Sequence, residues 1–180
     1  MKKQVIAAAI GAFILLSAFT QIGIGNTADT PGVLQFVGEA GQATTFTVEQ
    51  WSFGKVEMKD DKAENIYAEI EMNTASINAS WTDLVDNIKK KKDYFYVKNF
   101  PTAKVIINGA TKLADGNYET EAKLTLRGIE KPVKLMFSLS AEKPYKVKGT
   151  GTITRQDFGF TGGGPKNEVP VNFEATLPLQ

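Results

Sequence analysis

From Val33 onward apolar and polar residues mostly alternate with period two, the pattern of strands that bury one face. Ile66, Ala68, Ile70 and Met72 alternate with Tyr67, Glu69 and Glu71, which predicts a half-buried antiparallel strand. The alternation returns at 118–126, where Thr120, Ala122, Leu124 and Leu126 face one way and Glu119, Glu121 and Lys123 the other. Asp115-Gly116-Asn117 supplies a hairpin-type turn just before it. Val133, Leu135, Phe137 and Leu139 form another inward set. So do Tyr145, Val147, Gly149, Gly151 and Ile153, and then Val171, Phe173, Ala175 and Leu177. Earlier strands are expected at 34–38, at 44–51 with Phe46 and Val48 inward, at 55–58 and at 103–110. The total is about eight or nine strands joined by short turns.

One segment leaves this rhythm. Trp81, Leu84, Val85 and Ile88 fall at i, i+3, i+4 and i+7, an apolar stripe down a short helix. Ser80-Trp81-Thr82-Asp83 reads as its capping-box-like start, with Ser80 on the exposed amides. Lys89, Lys90, Lys91 and Lys92 end it, where cations suit the negative pole of the helix dipole. So many antiparallel strands in one domain must pack as a sandwich or close on themselves, and closure removes exposed edges. The expectation is an all-β antiparallel barrel of about eight strands with one short helix against it.

Composition narrows the chemistry. The chain has 180 residues with no cysteine and no histidine, which removes disulfides, thiol or imidazole catalysis and the common zinc ligand sets. Twenty-one basic against 20 acidic residues give no basic excess for nucleic acid. Lys2 and Lys3 precede an uncharged run at 5–20, the layout of a secretory signal. The run is shorter than the roughly 20 residues that span a bilayer. Residues 1–25 are therefore expected to be a signal peptide or membrane anchor, and 26–180 one barrel domain in a periplasmic or extracellular protein.

Three stretches carry a resemblance: DYFYVKNFP at 93–101, LTLRGIEKPVKL at 124–135 and TITRQDFGF at 152–160. In this order and spacing they resemble the YceI-like family of lipocalin-like polyisoprenoid-binding proteins. The resemblance implies an extended lipocalin-like barrel, no enzymatic activity and no cofactor. Its interior would hold an isoprenoid lipid or quinone.

The residues themselves bear on a cavity. Ala68, Ala122, Gly149, Gly151 and Ala175 are small inward positions among larger apolar ones. They either leave a hollow or mark bends and close approaches of strands. A long tail in such a hollow gains about 0.8 kcal/mol per buried methylene. The expected ligand-facing set is Phe46, Ala68, Ile70, Trp81, Ile88 and Phe95 from the first half. Ala122, Leu124, Phe137, Gly149, Gly151 and Phe173 complete it from the second half. Trp81 and Phe95 suit the barrel mouth, with packing under the helix the preferred reading. Lys89, Lys90, Lys91 and Lys92 offer a membrane contact, a solvated helix end being preferred. The function expected is sequestration or transport of the lipid without covalent chemistry. The alternative is an exported interaction module of the cell envelope with a packed core.

Overall fold

In the computed structural model residues 30–179 are described; the run at 5–20 and the expected boundary after residue 25 lie outside them. The chain forms β1 (Gly32–Ala40), β2 (Gln42–Val48), β3 (Trp51–Met58), β4 (Ile66–Asn73), β5 (Ile77–Asn78), α1 (Thr82–Lys90) and β6 (Thr102–Asn108). It continues through β7 (Thr111–Lys112), β8 (Tyr118–Leu126), β9 (Ile129–Leu139), β10 (Lys146–Thr154) and β11 (Glu168–Thr176). The all-β expectation holds, and the two strands beyond it, β5 and β7, are two residues each, too short to show a period.

One antiparallel sheet carries every strand, in the order β3-β4-β6-β8-β9-β10-β11-β1-β2-β5, with β7 on β8. β2 runs into β3 through Glu49 and Gln50 alone. Its upper part pairs with β1 from Gln35↔Thr47 to Ala40↔Gln42, while β3 pairs with β4 from Trp51↔Met72 to Met58↔Ile66. β3 at one end of the sheet and β2, next to the short β5 at the other, are thus one bent ribbon, and the sheet curls back on itself as a half-barrel. A bulge between Phe53 and Val56 sharpens the bend.

The alternation seen in the sequence becomes an inside and an outside. Along β8, Thr120, Ala122, Leu124 and Leu126 are buried while Glu119 is half-buried, Glu121 and Lys123 are exposed and Thr125 is intermediate. Two core clusters result. The larger gathers Phe46, Val48, Trp51, Ile66, Ile77, Phe137, Val147 and Leu177, and the smaller gathers Ala122, Leu124, Leu126, Val133, Phe158 and Phe160. α1 lays Val85 and Ile88 into the larger one, as its apolar stripe requires.

The start of the helix differs from expectation. Trp81, not Ser80, occupies the N-cap, and no side chain caps the amides there. The helix begins one residue late because Trp81 is in extended conformation, φ −103° and ψ 92°.

Candidate functional site

The barrel is hollow along its axis. An upper cavity of about 330 Å³ lies under the β1–β2 hairpin and α1. Behind it a lower cavity of about 130 Å³ extends toward the opposite end. The upper volume is at the low end of small-molecule sites, roughly 300–1,000 Å³.

Aromatic rings form one side of the upper cavity. Phe36 and Phe46 stack at 4.9 Å, Phe36 meets Phe95 at 5.6 Å, and Phe95 meets Phe160 edge-on at 5.1 Å. α1 contributes Leu84 and Ile88, and polar groups such as Gln35, Glu39, Gln42, Thr44 and Arg155 are confined to this cavity. The lower cavity has apolar side chains alone, with Trp51, Phe53, Phe137 and Phe173 as its rings and Ala68, Ile70, Val105, Val147 and Leu177 among its aliphatics. An ion or polar metabolite there would lose its hydration with no partner in exchange, whereas a hydrocarbon chain gains from burial.

A strap crosses the mouth between Thr161 and Asn167, with Gly163 and Pro165 on the upper cavity. Tyr94 donates its hydroxyl to the Gly163 carbonyl at 3.0 Å, and Lys166 pairs with Glu39 at 2.8 Å. Asp93 accepts from the Thr161 hydroxyl, and its backbone carbonyl accepts the Thr161 and Gly162 amides. Gly162 lies flat against the Tyr94 ring, where a Cβ would overlap it. Arg155 donates to the carbonyls of Pro165 and Lys166. Arg155 and Asp157 lie in a 3-10 turn, Arg155–Phe158.

The three motif stretches converge just outside this strap. Arg127 donates to the carbonyls of Gly159 and Lys92 and stacks over Phe100 and Phe160 at 5.6 and 5.0 Å. Burial lowers its pKa, with Asp93 acting in the opposite direction. One residue from the second stretch thus ties the first to the third. Their shared task is to hold the mouth in place, and most of the ligand-sized space is lined by residues outside them.

Of the expected ligand-facing residues, Phe46, Trp81, Ile88, Phe95 and Leu124 border the upper cavity. Ala68, Ile70, Leu124, Phe137 and Phe173 border the lower one. Trp81 is 60% exposed, so packing beneath the helix gives way to a place at the mouth. Ala122, Gly149 and Gly151 border neither cavity. At Gly149 a Cβ would overlap the Phe173 ring and lie 2.5 Å from the Met136 carbonyl oxygen; at Gly151 it would lie 2.5 Å from Leu135 Cδ2. Their smallness serves close packing, not hollowness. Ala122 is fully buried in the smaller core cluster. Among the lysines at the helix end, Lys90 pairs with Asp86 at 2.6 Å, Lys89 is half-buried, and Lys91 and Lys92 are exposed. Among the described residues no group of three or more acidic side chains is gathered to hold a metal ion.

Comparison with known proteins agrees with this architecture. A family model for the YceI-like domain matches residues 28–177. The chain belongs to the YceI-like family. It is 27% identical to a UPF0312 protein of Pseudomonas syringae pv. tomato over 189 aligned positions, covering 97% of each chain. A UPF0312 protein of Pseudomonas savastanoi pv. phaseolicola is 26% identical over the same share. Among solved structures, Burkholderia cenocepacia BcnA superposes with a TM-score of 0.73 at 19% identity, covering 81% of this chain and 96% of its own. A polyisoprenoid-binding domain from Saccharophagus degradans implicated in plant cell wall breakdown gives 0.61 at 15% identity, covering 83% of this YceI-like chain and 97% of its own. At such identities the superpositions establish a shared fold.

Leu34, Phe36, Met72, Tyr94 and Phe160 also border the cavities, although they were outside the expected set. The alternation of Leu34 and Phe36 with Gln35 and Val37 was there to place the first two. Tyr94 sits in a loop, where no period marks its direction.

Proposed function

We propose that this YceI-like protein binds an isoprenoid lipid or isoprenoid quinone in its barrel and sequesters or carries it, without covalent chemistry. The observation that carries the reading is the pair of apolar cavities set one behind the other, the lower with apolar side chains alone. The tail lies along the axis, each buried methylene contributing about 0.8 kcal/mol, and the head stays among the polar groups at the mouth. Trp81, exposed beside the opening, suits the passage of an amphiphile, being apolar in body with a polar edge. The polyisoprenoid-binding description of the Saccharophagus degradans domain, which shares the fold, supports the same ligand class. Lys2, Lys3 and the uncharged run after them support export, with binding taking place outside the cytoplasm.

Organic extraction of protein purified without detergent, followed by mass spectrometry, tests the reading. A prenyl-chain lipid near one per protein chain is expected. An extract devoid of apolar molecules, from protein that also takes up none from a lipid extract, contradicts it. The reading of a packed interaction module is disfavoured by the two hollows themselves, because empty apolar space lowers stability and a filled core would not contain it.

A further inference from the structure

Five residues border both cavities: Leu34, Met72, Leu124, Ile153 and Val171. They come from five different strands, β1, β4, β8, β10 and β11, spread across the sheet from β4 to β1, and therefore form a partial ring rather than a patch on one wall. Everything above this ring includes polar side chains, and everything below it is apolar. Met72 also packs against both core clusters, where the larger and smaller meet. It is the only unbranched, freely rotating side chain of the five, and methionine adapts to irregular space more readily than leucine, isoleucine or valine.

Resting on the lipid-binding reading above, we propose that this ring is a collar that sets chain-length preference. A short prenyl chain is held in the upper cavity alone. A longer one gains affinity only by passing the collar into the lower cavity, with Met72 moving aside to admit it. The lower cavity is the reward for length, since the surface it presents is apolar and favours hydrocarbon. The collar thereby makes the protein a reader of tail length, while the head contributes little selectivity.

The test uses a series of prenyl alcohols of increasing length, geraniol, farnesol and geranylgeraniol, titrated into delipidated protein of the full chain. The parent protein is expected to bind each longer alcohol more tightly. Met72→Trp, which obstructs the ring from β4, and Val171→Phe, which obstructs it from β11, are read by the ratio of their affinities for geranylgeraniol and farnesol, since both residues also border the upper cavity. Both should lose about tenfold or more of the gain seen for longer chains. Met72→Ala widens the ring and should increase that gain, so one variant remains informative if the overpacked ones fail to fold. If the parent binds the series and all three variants show its unchanged length dependence, the collar is overturned and lipid binding stands. If no alcohol binds the parent, both fall.

Discussion

Gly149 illustrates how one residue's surroundings reverse its meaning. Its missing side chain makes room for the Phe173 ring and for the backbone of β9, so the glycine lets a large side chain lie across a strand. Gly149→Ala is expected to cost about 1–3 kcal/mol, the usual range for overpacking, seen as a lower urea midpoint with unchanged slope. Arg127 is the corresponding case for a polar group. With two carbonyls as acceptors and two rings beneath its plane, Arg127→Ala leaves those carbonyls without their donor and removes the packing between Phe100 and Phe160. The expected loss is about 2–4 kcal/mol, given roughly 1.5–3 kcal/mol for hydrogen bonds to a charged group. Thermal melting checks it, with a fall of about 2–4 °C per kcal/mol for a domain of this size.

At the scale of elements, the strap and the helix border the upper cavity while the strands make the space. Tyr94→Phe removes the hydroxyl that the Gly163 carbonyl accepts and leaves the ring against Gly162. A hydrogen bond worth about 1 kcal/mol then predicts roughly fivefold faster release of bound lipid, with stability nearly unchanged; stopped-flow displacement by a competing fluorescent lipid measures it. The strands were legible because β4, β8, β10 and β11 each bury one face and solvate the other, which writes a period of two into the sequence. The helix was legible through Val85 and Ile88. Its first residue was not, because Ser80 has the chemistry of a cap while the backbone at Trp81 takes that position. The strap's role was hidden for a different reason: Asp93, Tyr94 and Glu39 reach it from distant parts of the chain, and local sequence carries no record of such contacts.

For the molecule as a whole, the bend that makes β2 and β3 one ribbon converts a flat alternating sheet into a curled half-barrel with a mouth at one end. Which inward residues face empty space rather than one another depends on that curvature. Ala68 and Ala122 look alike in sequence, yet one borders the lower cavity and the other is packed solid. The two tryptophans of the chain fall at different depths of the hollow, Trp81 at the mouth and Trp51 at the lower cavity beside Met72. This placement supplies the most direct measurement of the central claim. Delipidated protein is titrated with geranylgeraniol while tryptophan emission is followed in the parent and in Trp81→Phe, where Trp51 alone remains. Binding along the whole axis predicts a saturable change at one lipid per chain in both, together with a rise in melting temperature as the lipid is added in excess. No saturable change in either protein, and no shift in melting, would contradict it.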